Sequence, residues 1–576
     1  MRKILLKKRR LWKLSRAYPN DLSLKTKLRE CTYRLRHLLL CHEVESELRV
    51  IKANNVGAFY RHVNKRMSNR SGIAPLYDAQ GILVTDDQTK AKLLNNYFAS
   101  VGTVDNGCFP VVSHRSDSDV VLNDVVFTVD NVKAAIKKLK ANLSSGPDDL
   151  PPVLFKRLSS VFAGPLSLLF QQLFSVSYIP PEWKQAIIVP AYKKGLHSCA
   201  SNYRPISLTC VLSKIMERVI ADQMNAHFVS VGLINEAQHG FLRGLSTTTN
   251  LLSCVNDWTL SLQNRRGVTI VYIDFAKAFD TVSHQKLLYR LQHYGIGGNL
   301  LKWLCNFLTN RTHCTRVGNC ISELCDLLSG VIQGSNIGPL LFILYINELA
   351  EVLGHLYVTS KFFADDLKMY AEIITTIDAT NFQITINRLV DWCSEWQMQI
   401  SIEKCAILQI GACDISPDLH INNQALPKIA SCKDLGVIFD QSLSGSAHIA
   451  SIVSSANQRV YLIFRSFVSR NCAVLVRAFC TYVRPLLEHN TVIWSPYKLG
   501  DITSIENVQR KFTKRLPGLK NYTYRERLAA ANLDTLELRR LRFDLIMCYK
   551  IVFGLINVDC KKFFLFAPAS STRGQC

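Results

Sequence analysis

Residues 267–288 read GVTIVYIDFAKAFDTVSHQKLL, and residues 361–370 read KFFADDLKMY. The first stretch carries a β-branched run from Val268 to Ile273 that ends on Asp274, then turns through Ala276, Ala278 and Phe279 into a helix. The second sets Asp365 and Asp366 between two short apolar runs, the pattern of a hairpin turn. Adjacent carboxylates at a strand end repel each other, and burying them is costly without a cation. A third carboxylate on a neighbouring strand end completes a hard, oxygen-rich site suited to Mg²⁺. Three aspartates on two adjacent strands are what two-metal phosphoryl transfer requires. Taken alone, a pair of aspartates in a turn also reads as a solvated turn, so the surrounding chain has to decide.

Working outward, the chain has 576 residues, too many for a small disulfide scaffold or a single compact module. With 48% hydrophobic and 20% charged residues its composition is globular. The formal charge is +24, which points to a polyanionic partner, nucleic acid before a membrane surface. Nineteen scattered cysteines form no CxxC pair and no zinc spacing, so free thiols in a reducing compartment are expected. The opening MRKILLKKRR lacks the apolar core of a secretory signal. The longest apolar stretch, Leu340 to Ile346, is far short of the roughly 18–20 residues that span a bilayer. Nucleus or cytoplasm is the expected location, with no membrane partner.

The charge is unevenly spread. Residues 1–70 hold 19 Lys/Arg against 5 Asp/Glu, a net of +14. Apolar Leu24, Leu28, Tyr33, Leu35, Leu38 and Leu39 recur between the charges, as in basic amphipathic helices. A short loop-and-strand segment follows at Gly72 to Gly81. Thr85 with Gln88 reads as a capping box opening a helix with Leu93, Leu94, Tyr97 and Phe98. Residues 102–123 read as an exposed loop. After about residue 446 the pattern is helical, and a second capping box, Asp534 to Glu537, leads Leu538, Leu541, Leu545 and Tyr549 along one face.

From about residue 144 to 440 the chain resembles the reverse transcriptase of LINE-type (non-LTR, Jockey-like) retrotransposons, motif after motif in order. SSGPDDLPP at 144–152, IIVPAYKKG at 187–195 and NYRPISLTCVLSKIMERVI at 202–220 are similar to the family's fingers motifs, and QHGFLRGLSTTTNLL at 238–252 to its insertion. IDFAKAFDTV resembles motif A, SGVIQGSNIGPLLFILYINEL at 329–349 motif B, and FADD at 363–366 motif C. QMQISIEKCAIL at 397–408 and KDLGVIF at 433–439 are similar to motifs D and E. The HNTVIWSP, IENVQRKFTK and YRERL stretches resemble the thumb region. A lone FADD is weak evidence; nine ordered motifs are strong.

The resemblance implies an α+β right-hand polymerase with fingers, an antiparallel palm sheet and a helical thumb, plus a basic helical N-terminal extension. Its implied layout is an extension at 1–75, a helix and loop at 76–140, fingers and palm at 141–445, a thumb-like region at 446–560 and a frayed tail at 561–576. It implies an RNA-directed DNA polymerase acting on an RNA template, a DNA primer or target site and deoxynucleoside triphosphates. Asp274, Asp365 and Asp366 hold two Mg²⁺ ions, or Mn²⁺ in their place. Arg204 contacts the incoming triphosphate, with Lys193 or Lys194 adding charge; of the two, Lys194 is taken. Gln333 and Gly334 line the floor under the templating base and nucleotide, and Lys404 protonates the leaving pyrophosphate. Phe279 lies under the sugar as a gate against ribonucleotides, which disfavours an RNA-directed RNA polymerase. The plain structural alternatives are a surface Arg204 and Lys404, an ordinary turn at Gln333–Gly334 and a core Phe279.

This chain departs from the family pattern at Ile332 (usually Pro), Asn336 and Ile337 (typically Val-Leu), Ser401 (often Asn) and Asp434 (usually Tyr). Nothing before residue 75 resembles the family's endonuclease, and no RNase H pattern or Cys/His knuckle follows the thumb. A polymerase-only fragment is expected, and the alternative is a catalytically silent relic that still binds nucleic acid.

Overall fold

The computed structural model describes residues 2–66, 72–112, 120–140, 144–354, 357–413 and 415–565. The end of the expected tail, 566–576, and part of the 102–123 loop lie outside them. The chain divides into two compact units. The smaller combines residues 1–71 with 436–439 and 443–555, and its regular structure among the described residues is helical apart from 437–439. Here the basic N-terminal helices are not a free arm. Phe59 of the helix Val56–Arg66 stacks on Tyr482 with centroids 4.5 Å apart. The buried Glu47 carboxylate accepts from the backbone N–H groups of Val468 and Ser469 at 2.6 and 3.0 Å.

The larger unit, mainly residues 72–435, holds strands β1 (Gln185–Tyr192), β2 (Tyr203–Leu208), β3 (Val268–Ile273), β4 (Arg311–Val317), β5 (Thr359–Phe363), β6 (Asp366–Glu372), β7 (Ala406–Ile410), β8 (Lys428–Ile429) and β9 (Ser431–Asp434). One sheet runs β8-β7-β3-β6-β5, antiparallel except for the β7–β8 pair; another has β1 between antiparallel β2 and parallel β4. The central β3 is buried along nearly its whole length, as a β-branched run covered on both faces should be. Helix Gly338–Ile346, GPLLFILYI, is buried on all sides, as its lack of any polar face dictates.

Two expected caps are replaced by a neighbouring residue. The helix Asp87–Ser100 is capped by Asp86, whose carboxylate accepts from the Thr89 N–H at 2.8 Å, and not by Thr85 with Gln88. The last long helix, Leu536–Val552, is capped by Thr535 through the Leu538 N–H, while Asp534 pairs with Arg542. Asp and Thr are near-equivalent caps, so local sequence alone does not choose between adjacent candidates. On this helix Leu538, Leu541, Leu545 and Tyr549 do share a face, but it is exposed; Leu536, Arg540 and Ile551 make the buried one. Among the described residues no helix is long and apolar enough to cross a membrane.

Candidate active site

Strand register builds the site. Leu367 of β6 pairs with Ile273 of β3, so the next position sets Asp366 opposite Asp274. Ala406 of β7 pairs with Tyr272, and the same register carried two residues back sets Lys404 beside Asp274. The Lys404 ammonium accordingly reaches the Asp274 carboxylate at 3.2 Å. Asp365 occupies the two-residue turn between β5 and β6 with Ala364, whose φ of 55° is rare for a residue with a Cβ. The turn is braced from behind. The buried Gln238 side-chain oxygen accepts from the N–H groups of Ala364 (3.0 Å) and Gly240 (2.7 Å), and any Cβ on Gly240 would collide with the Ala364 nitrogen. The QHG segment of the expected insertion therefore holds the carboxylate turn in place.

Crowding governs the charges. Burial lifts the Asp365 carboxyl above its ordinary range, and the Asp274 charge adds to the lift. The Asp366 carboxyl meets solvent at the rim, yet it is pushed up to about 6, first by desolvation in the cleft and then by Asp365, Asp434 and Asp274. Repulsion of this kind is what a bound cation relieves. On the opposite side, burial and the Arg204 charge pull the Lys193 ammonium down, while Asp274 pulls it up. Arg204 and Lys193 are both near enough to lower the Asp365 carboxyl. The charge of Lys193 is thus felt by the acidic group, and Lys194, the residue singled out from sequence, is its like-charge neighbour.

The remaining candidates meet at the turn after β3. Gln333 donates its amide N–H to the Asp280 carboxylate at 2.9 Å, and its backbone oxygen accepts from Ser207 of β2 at 2.9 Å. Gly334 has φ 131°, and a Cβ there would strike the Ser207 oxygen, so only glycine fits. Burial pushes the Asp280 carboxyl up to about 6. Phe279 is half-buried, lying flat on Phe342 with ring centroids 4.2 Å apart.

Each departing residue is accommodated. Ile332 and Ile337 are buried in the core. Asn336 is fully paired: its backbone N–H donates to Glu217 at 2.7 Å, its side-chain N–H donates to the Lys214 oxygen at 2.6 Å, and its side-chain oxygen accepts from Arg218 at 3.4 Å. Ser401 donates to Glu403 at 2.6 Å, and buried Asp434 pairs with Lys368. Burial opposes the Lys368 charge, but neighbouring Cys254 and Asp434 hold its pKa above the ordinary lysine value.

The donor chemistry suits hard divalent cations, carboxylate oxygens clustered where their charge is otherwise uncompensated. As they stand, no three His, Cys, Asp or Glu side chains among the described residues converge to hold an ion. The Asp274 carboxylate is turned to Lys404 instead. Sequence reading passed over Gln238, Asp280 and Lys368. Buried polar identity is invisible locally, though a lysine inside an otherwise apolar strand was a signal.

Residues 191–439 match the family model described as reverse transcriptase (RNA-dependent DNA polymerase). The chain is similar to "RNA-directed DNA polymerase from mobile element jockey" of Drosophila melanogaster, 26% identical over 412 residues, covering 69% of this chain and 44% of that protein. It is also similar to "Probable RNA-directed DNA polymerase from transposon X-element" of Drosophila melanogaster, 26% identical over 550 residues, with 89% and 59% covered. A shorter match, 26% over 286 residues, is to "Retrovirus-related Pol polyprotein from type-1 retrotransposable element R2" of Popillia japonica. The chain spans about half the length of the curated relatives it matches. Residues 191–439 are thus similar to a template-directed polymerase domain, the reverse transcriptase domain, whose family has a right-hand fold and generally uses divalent metal ions. The relatives it resembles are RNA-directed DNA polymerases of mobile elements.

Proposed function

We propose that this chain copies an RNA template into DNA by nucleotidyl transfer at the row formed by Asp274, Asp365 and Asp366. The observation that carries this reading is the register that sets Asp366 opposite Asp274 with Asp365 in the adjoining turn. The five-stranded sheet is the palm, β1, β2 and β4 with their helices belong to the fingers, and helices after residue 446 form the thumb, with the basic N-terminal helices as an extension. Two Mg²⁺ ions, or Mn²⁺ in their place, would be held by the three carboxylates and would activate the primer 3′-hydroxyl and neutralise charge at the α-phosphate.

The chain's own groups do the rest. Lys404, whose ammonium lies 3.2 Å from the Asp274 carboxylate, would give a proton to the departing pyrophosphate. Arg204 and Lys193 clamp the triphosphate, the guanidinium fork matching two phosphate oxygens. Gln333, oriented by Asp280, and Gly334 floor the nascent base pair. Phe279 lies beneath the sugar. A silent relic is the less economical reading, because the three carboxylates are intact and the buried Asp434 has a charge partner in Lys368.

Primer extension on poly(rA)/oligo(dT) tests the proposal. Asp365→Asn should abolish extension and leave template binding nearly unchanged. Residual extension within about tenfold of wild type, roughly 1.4 kcal/mol of barrier, sinks the assignment.

A further inference from the structure

Lys368 sits two residues beyond Asp366 on the same face of β6, between buried Leu367 and Met369. Its ammonium forms an ion pair with Asp434, the last residue of β9, and the two side chains are only 5% and 6% exposed. Replacing such a pair by well-packed apolar residues is often neutral or stabilising, so fold stability alone gives little reason to keep it. What the pair joins is more telling. An open cleft lies between the carboxylate row and β9. Asp274, Asp366 and Lys404 line one side of it, and Lys433, Asp434 and Leu435 the other. Tyr272 and Asn250 also line it, and the Tyr272 hydroxyl and Asn250 Oδ1 are buried with no hydrogen-bond partner in the protein. Such buried unpaired atoms are costly, and both belong to residues that line the cleft.

We propose that the Lys368–Asp434 ion pair is a positioning strut that sets the width of this cleft, and so the placement of the growing strand's 3′ end against Asp365 and Asp366. The inference rests on the polymerase reading above. A charge-assisted hydrogen bond has a short, directed length, whereas apolar side chains slide past one another. The pair also adds no net charge next to carboxylates that must attract cations and a triphosphate. The two partners are 66 residues apart in sequence, so the pair ties β9 to β6.

Single-turnover extension by the full chain on an RNA template with a DNA primer separates a strut from a merely structural pair. Lys368→Met and Asp434→Asn should each lower the rate constant by about tenfold or more, with the burst amplitude and template–primer Kd within about twofold of wild type. Asp434→Glu, which keeps a carboxylate for the lysine, should recover most of the rate. The double variant K368M/D434L, which leaves no charge stranded, should fold at least as well as wild type and still be slow. The strut is overturned if both single variants keep rate constants within about twofold, if only the burst amplitude and melting temperature fall, or if the double variant regains full rate. Wild-type protein that extends no primer would overturn the polymerase reading itself, a result distinct from any of these.

Discussion

Replacing Phe279 by Val should convert a deoxynucleotide-selective site into one that accepts ribonucleotides. The ring is half-buried: it lies on Phe342 at 4.2 Å with planes 18° apart and meets Phe241 edge-on at 6.3 Å. Losing the stack costs about 0.5–1.5 kcal/mol beyond lost area. A fully buried Phe→Ala costs about 3–5 kcal/mol, so a half-buried Phe→Val should cost about 1–2 kcal/mol. That is well inside the usual stability of about 5–15 kcal/mol, and the protein should stay folded. If Phe279 lies under the sugar as proposed, the same change removes the bulk there, where a 2′-hydroxyl would meet both a clash and an unpaired, desolvated environment. Ribonucleotide use relative to deoxynucleotide should rise by about tenfold or more, about 1.4 kcal/mol of discrimination. The assay is single-turnover incorporation of each sugar opposite one template base, compared as kcat/KM, with melting temperature measured in parallel. Deoxynucleotide incorporation should fall only modestly. A lower melting temperature with unchanged sugar preference would refute the gate and leave Phe279 as a core residue packed on Phe342.

Gly240→Ala should inactivate extension while sparing most of the fold, because its Cβ would push on the Ala364 nitrogen and displace the turn that carries Asp365; normal extension by a soluble variant would show that the brace is not needed. Asp280→Asn should alter the pH dependence of stability. Folding raises this carboxyl from 3.8 to about 6, so the native state holds its proton more tightly, and wild-type stability falls as pH rises through that window. Asparagine removes this contribution, so the difference in urea midpoint between variant and wild type should change between about pH 4 and 6 and be flat above it. A difference independent of pH would mean that the Asp280 carboxyl is not raised.

The local features of the site were legible in the chain. A β-branched run that stops at an aspartate is a strand end, and Val268–Ile273 is that strand. Two aspartates between short apolar runs are a hairpin turn, because alternation and turn chemistry act over a few residues. The onset of helix at Ser446 was equally local. Tertiary structure alone decided which cation faces which carboxylate. Lys404 and Asp274 are 130 residues apart, and cross-strand register brings them together. Likewise Gln238 reaches the Ala364 turn across 126 residues, Lys368 finds Asp434 across 66, and Leu538, Leu541 and Leu545 keep helical spacing yet face solvent. Secondary structure is written in short-range sterics and hydrogen bonding. Ion pairing and burial are settled only when distant segments pack, since the dielectric and the partners each side chain meets do not exist until then.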